Sequence, residues 1–158
     1  MQKSHSQRLT RELKRLVDHP PEGIICYTSD RLDLLTVNVI GPHGSPYENS
    51  LFELELEIPE KYPFVPPRLK FKTPVYHPNI DTQGRICMDL LKMPPNGGWR
   101  PTISLENIIV AVQSLLGNPN PDDPLMVDIA EEYRYNKKEF ERKARELARE
   151  NTKKNSSS

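Results

Sequence analysis

An alternating stretch at residues 51–58 constrains the fold more than any other part of the sequence. Apolar residues and glutamates occupy alternate positions there: Phe52, Leu54, Leu56 and Ile58 against Glu53, Glu55 and Glu57. Because successive side chains of a strand point to opposite faces, this period of two indicates a strand with one buried and one solvated face. Such a strand is typical of an antiparallel sheet that is covered on one side only.

The other elements can be placed around that strand. Three more strands are predicted, at residues 24–27, 35–40 and 68–72, and short connections between sequential strands favour a meander. The spacing of apolar residues predicts four helices, at residues 6–18, 105–116, 125–132 and 137–150. Ser6 and Ser104 can cap the first two of them. We therefore expect an α+β fold in which a four-stranded antiparallel meander sheet packs on a central helix, with an N-terminal helix and two C-terminal helices.

Length and composition limit the classes of protein that fit. The 158 residues suit one domain, which we place at residues 1–150, followed by a polar tail at 151–158 that we expect to be disordered. Lysine plus arginine and aspartate plus glutamate are both 22, and this balance argues against nucleic acid as a substrate. No apolar run is long enough to cross a bilayer and no leader sequence is visible, so we expect a soluble protein without membrane contact.

The two cysteines lie in unlike surroundings, which indicates a reducing compartment, the cytosol or the nucleus, rather than a disulfide framework. Cys26 lies in an apolar run and is expected to be a small core residue. Cys87 lies in a segment, residues 76–89, where Pro78 and Gly84 predict an ordered loop. A presented thiol with the amide of Asn79 upstream of it suggests covalent chemistry in which the sulfur carries a group.

A cysteine hydrolase is one chemistry that this loop could support, and it would need His77 or His43 as a base. His77 precedes Pro78, which restricts its backbone to extended geometry. Holding the loop through hydrogen bonds to nearby backbone is therefore the favoured role of His77. Nothing close to Cys87 in the sequence obviously supplies an activated water or a strong thiolate, so the hydrolase stays an alternative.

Four motifs in register resemble those of ubiquitin-conjugating enzymes, and they span residues 6–150. The first two are Tyr62-Pro63-Phe64-Val65-Pro66-Pro67 and His77-Pro78-Asn79. The other two are Gly84-Arg85-Ile86-Cys87-Met88-Asp89-Leu90-Leu91 and Asn118-Pro119-Asn120-Pro121-Asp122-Asp123-Pro124-Leu125. No single tripeptide is specific, whereas the order and spacing of all four are. The resemblance implies the ubiquitin-conjugating-enzyme fold.

The resemblance also implies a reaction and its partners. Cys87 would take ubiquitin from the activating enzyme as a thioester, and a lysine of a protein substrate would then attack it, usually with the help of a RING-type ligase. No metal or other cofactor is implied, since ATP is consumed by the activating enzyme, and a monomer is expected. A conjugating enzyme for another ubiquitin-like modifier is the nearest alternative. A catalytically inactive binding module is a third class, but it would normally lack the cysteine.

The resemblance assigns roles to residues around Cys87. Asn79 would donate a hydrogen bond to the oxyanion of the tetrahedral intermediate or hold the loop in shape, and the sequence does not separate the two. Asp123 would orient the attacking amine and help to accept its proton. Four residues would support the site: His77, Pro78, Asp89 and Asp122. Capping of the following helix is the alternative for both Asp122 and Asp123.

A binding surface for ligase and activating enzyme is expected at one end of the molecule. Its members come from the first helix and from two proline-bounded loops: Arg8 and Arg11; Lys61, Pro63 and Phe64; Trp99, Arg100 and Pro101. A small rigid apolar patch with basic neighbours suits a RING-type partner. The alternative for Phe64 is that it belongs to the core, and the alternative for the arginines is an ordinary solvated helix face.

The link between Cys87 and Trp99 is a few residues longer than in the commonest members of the family. This departure resembles the T-type branch, which implies monoubiquitination in DNA-crosslink repair and a nuclear location. Gly97 and Gly98 are expected to make the far end of the link flexible. Lys92 is tethered close to Cys87 and is thus a candidate for self-modification.

Overall fold

The computed structural model of the chain describes residues 3–157, with the side chains of residues 7–154. The chain runs through helix α1 (Lys3–Asp18), strands β1 (Ile24–Thr28), β2 (Leu34–Ile40), β3 (Leu51–Glu57) and β4 (Arg68–Phe71), and helices α2 (Leu105–Gly117), α3 (Val127–Tyr135) and α4 (Lys137–Ser157). A single 3-10 turn at Asp89–Leu91 lies in the long connection between β4 and α2.

The four strands form one antiparallel sheet in the order β1-β2-β3-β4, so the predicted meander is confirmed. The alternation of strand β3 sets which face is buried: Phe52, Leu54 and Leu56 are at most 1% exposed, and the glutamates lie on the other face. Val37 of β2 pairs with Leu54 of β3 and with Cys26 of β1, so the inward residues of neighbouring strands lie side by side.

Helix α2 covers the buried face of the sheet. Ser104 caps it as predicted, since its Oγ accepts a hydrogen bond from the amide of Asn107 at 3.0 Å, and Asn107 Oδ1 accepts one from Ser104 N at 3.2 Å. Five apolar residues of α2 belong to the same core as the inward residues of the sheet: Leu105, Ile108, Ile109, Val112 and Leu116. The predicted central helix is confirmed.

Several helix boundaries differ from the predictions. Helix α1 already includes Lys3, so Ser6 lies within it and is not its cap. Helix α3 begins at Val127 and ends at Tyr135, somewhat later than expected. None of the helices within residues 3–157 is long and apolar enough to span a membrane.

The largest difference is at the end of the chain. Helix α4 does not stop near residue 150 but continues to Ser157. Residues 151–157 are therefore helical, and the expectation that they are disordered is wrong. Ser158 lies outside the described residues. Phe140, Ala144, Ala148 and Asn151 are all buried at helical spacing. Because Asn151 Nδ2 donates to the carbonyl of Pro74 at 2.8 Å, the buried stripe extends past the apolar residues that mark it in the sequence.

The loop at residues 76–89 is anchored to the edge of the sheet through Gly84. This glycine has a φ of +85°, and its carbonyl accepts a hydrogen bond from Phe71 N at 2.9 Å. A Cβ atom at this position would lie 1.9 Å from the carbonyl oxygen of Phe71, so a side chain is excluded by contact as well as by conformation. The turn at Gly84 therefore fixes the course of the chain into Cys87.

Candidate active site

The Cys87 thiol lies in a small polar cluster built from two segments of the chain. Its sulfur is 3.3 Å from Asp123 Oδ2 and 3.3 Å from Lys92 Nζ, and those two groups are 3.4 Å apart. Cys87 is partly exposed, whereas Cys26 is 3% exposed in strand β1. The sequence analysis selected Lys92 and Asp123 for two different reasons, and the structure brings both side chains to Cys87.

The two charged neighbours of Cys87 act on its pKa in opposite directions, and burial acts in the same direction as Asp123. Burial and the hydrogen bond to Asp123 raise the pKa of Cys87, while the ammonium of Lys92 opposes that rise. The bonds from Cys87 and Lys92 hold the pKa of Asp123 below its ordinary value, and the bond to Cys87 raises the pKa of Lys92. At neutral pH the cluster is therefore a protonated thiol between a carboxylate and an ammonium. By contrast, burial raises the pKa of Cys26 to about 11.

His77 is fully buried behind the loop, and both its ring nitrogens face backbone groups. Nε2 is 2.8 Å from the carbonyl of Leu115, and Nδ1 accepts a hydrogen bond from Asn79 N at 2.9 Å. Burial lowers the pKa of His77 to about 4, so the ring is neutral. These contacts fit the loop-holding role and leave no nitrogen to act as a base on Cys87.

His43, the other base that a hydrolase could use, belongs to the turn between β2 and β3. Its ring is almost fully exposed, and its Nδ1 is 2.6 Å from Glu48 Oε1. Neither histidine therefore forms the nucleophile and base pair on which the hydrolase interpretation depends.

Asn79 joins the cysteine segment to the loop that carries Asp123. Its Nδ2 donates to the carbonyls of Asn120 at 2.8 Å and Asp123 at 3.1 Å, and its Oδ1 accepts from Asn120 N at 2.8 Å. Its own carbonyl accepts from Cys87 N at 2.8 Å. Both amide hydrogens are therefore committed to the loop, and an oxyanion role would require one of those bonds to be given up.

Pro78 reinforces the same junction, because its carbonyl accepts hydrogen bonds from Leu125 N and Met126 N, each at 3.0 Å. The proline itself is buried. Residues 77–79 thus form one backbone platform on which the loop at residues 118–126 rests.

Asp122 and Asp89 make their contacts outside the cluster of side chains at Cys87. The carboxylate of Asp122 pairs with Arg134 of α3, and its amide donates to Asn120 Oδ1 at 3.1 Å. The cap of α3 is Met126, without a side-chain hydrogen bond, so helix capping by Asp122 or Asp123 is wrong. Asp89 opens the 3-10 turn, and its carbonyl accepts from Lys92 N at 3.1 Å and Gly98 N at 3.0 Å.

The link between Cys87 and Trp99 folds back on Lys92. Trp99 N donates to the carbonyl of Lys92 at 3.0 Å, and Gly97 N donates to Met93 O at 2.9 Å. A Cβ atom at Gly97 would lie 2.2 Å from Lys92 Cβ, and one at Gly98 would lie 2.3 Å from Asp89 Oδ2. The two glycines are therefore needed for close packing, a role that the sequence did not indicate.

The surface expected for the ligase is only partly exposed. Phe64 is 56% exposed, so the core alternative for this residue is wrong, and its neighbours Lys61, Arg100 and Pro101 are exposed as well. Pro63 and Trp99 are buried, with Trp99 Nε1 donating to the carbonyl of Pro63 at 3.0 Å. Trp99 and Pro63 therefore cannot present contact surface; they join the two loops from beneath.

Arg8 and Arg11 of helix α1 have different surroundings. Arg8 donates to the carbonyl of Pro101 and, at 2.9 Å, to that of Ile103, so its guanidinium is largely used inside the molecule. Arg11 is exposed. The basic contact expected from this helix is thus better supplied by Arg11, while Arg8 positions the loop that carries Pro101.

Glu12 holds the proposed binding surface together, and no signal in the sequence singled it out. One carboxylate oxygen accepts from the Tyr62 hydroxyl at 2.6 Å and the other from Leu105 N at 2.8 Å. It thereby ties helix α1 to the Phe64 loop and to the start of α2. Its partners lie far away along the chain, so no local pattern could have identified them.

Within the described residues, no group of three or more histidine, cysteine, aspartate or glutamate side chains could hold a metal ion. The chemistry that the cluster can perform is that of the thiol itself: attack on an activated carbonyl, followed by transfer of the acyl group to an amine beside Asp123.

Comparisons with known proteins agree with this chemistry. The family model described as ubiquitin-conjugating enzyme matches residues 8–148. Ubiquitin-conjugating enzyme E2 T of Xenopus laevis is 51% identical over 134 residues, which are 84% of this chain and 70% of that protein. The human protein of the same name is 49% identical over 142 residues, 89% of this chain and 72% of that protein. Ubiquitin-conjugating enzyme E2 13 of Saccharomyces cerevisiae is 42% identical over 141 residues, 89% of this chain and 90% of that protein.

Proposed function

We propose, since this chain belongs to the ubiquitin-conjugating enzyme family, that Cys87 is the residue on which it carries ubiquitin as a thioester. The chain is a transferase of the ubiquitin pathway that works through a cysteine thioester. The observation that supports Cys87 is its surroundings: it is the partly exposed one of two cysteines, and it contacts both an ammonium and a carboxylate. Cys26 is buried among the inward residues of the sheet.

In the first half-reaction, the Cys87 thiolate attacks the thioester carbonyl of ubiquitin on the activating enzyme, whose own thiol leaves. In the second, a substrate amine attacks the new thioester, an isopeptide bond forms and the Cys87 thiolate leaves. Asp123 lies 3.3 Å from the sulfur, so an amine at the thioester can donate a hydrogen bond to its carboxylate. We propose that Asp123 orients that amine and helps to accept its proton. The proposed reaction uses no metal or cofactor, and ATP is consumed by the activating enzyme.

The choice of modifier can be tested with purified activating enzymes, one for each ubiquitin-like protein. We expect a reducible adduct with ubiquitin and its activating enzyme in the presence of ATP. An adduct with another modifier and none with ubiquitin would overturn the proposal in favour of the alternative. Hydrolysis of a simple ester, without burst acylation by ATP-activated ubiquitin, would indicate the hydrolase instead.

Ubiquitin, the activating enzyme and a ligase are partners of the family in general. We propose that the ligase is of the RING type and that it contacts Phe64, Pro101 and their basic neighbours Lys61, Arg11 and Arg100. This surface is supported by the exposure of Phe64 and by the internal bonds that hold both loops, namely Trp99 Nε1 to Pro63 O and Arg8 to Pro101 O. The chain is proposed to act as a monomer.

Replacing Phe64 by alanine should abolish stimulation by the ligase and leave ubiquitin loading and the melting temperature unchanged. The reason is that 56% of the residue is exposed, so truncation removes contact area rather than core. Single-turnover transfer with and without ligase, together with thermal melting, measures both. Tyr135→Ala is the matched control, because Tyr135 is 82% exposed at the end of helix α3 and is not part of the proposed surface. A large drop in melting temperature for Phe64→Ala alone would contradict this role.

Self-modification at Lys92 is expected when the loaded enzyme has no better acceptor. The Lys92 ammonium is 3.3 Å from the sulfur that carries the thioester, and its high effective concentration favours intramolecular aminolysis. Thioester formation also removes the thiol that helps to hold the pKa of Lys92 high. Mass spectrometry of isopeptide remnants after loading without substrate decides the site, with Lys92→Arg as the control. Remnants confined to Lys153 and Lys154 would contradict the prediction.

We further propose a role in monoubiquitination during DNA-crosslink repair, with a nuclear or cytoplasmic location. What supports it is the resemblance of the long link to the T-type branch and the 48–51% identity to several enzymes named E2 T. Cells that lack this protein should become sensitive to DNA-crosslinking agents and be rescued by the wild type but not by Cys87→Ala. Unchanged survival of the depleted cells would remove this proposal without affecting the enzyme activity.

A further inference from the structure

Lys92 is held next to the Cys87 sulfur by its backbone as well as by its side chain. Its amide donates to Asp89 O at 3.1 Å, and its carbonyl accepts from the amide of the buried Trp99 at 3.0 Å. Gly97 packs so closely against Lys92 that a Cβ atom would lie 2.2 Å from Lys92 Cβ. The long link therefore fixes the point from which the ammonium reaches the sulfur at 3.3 Å.

The two charged groups that face the sulfur within the described residues are Lys92 from this link and Asp123 from the loop before α3. A neutral thiol can satisfy both, because it donates to the carboxylate and accepts from the ammonium. A thiolate cannot donate, so it loses the bond to Asp123 and is repelled by that charge. The ammonium of Lys92 is then the remaining group that stabilises the ionised sulfur.

We propose that the Lys92 ammonium stabilises the Cys87 thiolate and so acts as a catalytic residue in both half-reactions. The thiolate is the attacking group during loading and the leaving group during transfer, so one cation serves both steps. This role differs from that of Lys92 as an acceptor of ubiquitin: modification would convert the ammonium into an uncharged amide and remove the stabilisation.

The expected size of the effect follows from distance and exposure. An opposite charge within hydrogen-bond reach moves a pKa by roughly one unit or more, and the 42% exposure of the Lys92 side chain reduces this through solvent screening. Without the cation, the pKa of Cys87 should rise, which leaves about 3- to 10-fold less thiolate at neutral pH. Above the pKa of the variant the deficit disappears, because the sulfur is then ionised with or without Lys92.

The test is the pH profile of Cys87 alkylation by iodoacetamide, measured by mass spectrometry of the peptide, which needs no other enzyme. Lys92→Met should move the midpoint up by about half to one pH unit and slow alkylation at pH 7 by about 3- to 10-fold. Lys92→Arg, which keeps the charge, should stay close to the wild type. Loading by the activating enzyme should show the same pH-dependent deficit for Lys92→Met, shrinking as the pH rises.

Identical alkylation midpoints for the wild type and Lys92→Met would overturn the inference, as would equal shifts for Lys92→Met and Lys92→Arg, since the effect would then be steric. The inference rests on the proposed function only for its consequence in catalysis. Alkylation reports the sulfur directly, so normal thioester formation with unchanged midpoints would refute the role of Lys92 and leave the assignment of Cys87 intact. Shifted midpoints without any ubiquitin adduct would support the role of Lys92 and refute the assignment of Cys87 as the residue that carries ubiquitin.

Discussion

Replacing Cys87 by serine should convert the reducible ubiquitin adduct into an ester that survives a reducing agent, and replacing it by alanine should abolish the adduct. Oxygen forms a more stable acyl bond than sulfur, so the serine variant is expected to load slowly and to discharge poorly. Both variants should retain the wild-type fold, because Cys87 is only partly buried and its backbone bond to Asn79 O does not depend on the side chain. Gel electrophoresis with and without reducing agent measures the outcome.

Cys26→Ala is the matched control for that experiment. Cys26 is 3% exposed, and burial raises the pKa of its thiol to about 11, so it is neither accessible nor ionised at neutral pH. The variant should load and transfer ubiquitin normally, and its free energy of unfolding should fall modestly because the smaller side chain leaves a cavity. A reducible adduct on Cys87→Ala that disappears in the double variant with Cys26→Ala would refute the assignment.

The sequence predicts the sheet well because its signal is local. The alternation of apolar residues and glutamates in β3 decides which face is buried, and the pairing of neighbouring strands then follows from the short connections. The two cysteines could likewise be separated by their immediate neighbours. The end of α4 was missed because the residue that continues its buried stripe, Asn151, is polar and finds its partner at Pro74, in another part of the chain.

The candidate site could also be predicted only where the sequence signal is local. Trp99 and Arg100 are adjacent in an irregular loop, yet one is 1% exposed and the other lies on the surface, and no periodicity there indicates which side chain turns inward. The sequence suggested that Lys92 lies near Cys87, but not that the packing of Gly97 fixes it there. The role of Asn79 was open in the sequence, and the three bonds of its amide now favour the loop-holding role.

Asn79→Ser should slow transfer to lysine by about 100-fold while changing ubiquitin loading only a few-fold. The amide of Asn79 holds the carbonyls of Asn120 and Asp123, so its loss releases the loop that carries the Asp123 carboxylate. A displacement of about 1 Å in such a positioning group can cost about 100-fold in rate. Loading depends on the thiolate, and release of Asp123 should not slow it, because the hydrogen bond to Asp123 raises the pKa of Cys87. Separate single-turnover measurements of the two half-reactions, below the melting temperature of the variant, test this difference.

The double variant with Asp123→Asn distinguishes the two roles that Asn79 could have. If Asn79 acts by holding Asp123 in place, the double variant should transfer ubiquitin only slightly more slowly than the slower single variant. The reason is that each change alone already removes the same positioned carboxylate. If the amide instead donates to the oxyanion, the two losses should multiply. Asn96→Ser, an exposed asparagine in the link beyond Lys92, is the matched control and should leave both half-reactions unchanged. Comparable losses in loading and transfer for Asn79→Ser would contradict both roles, since Asn79 would then matter only for the stability of the fold.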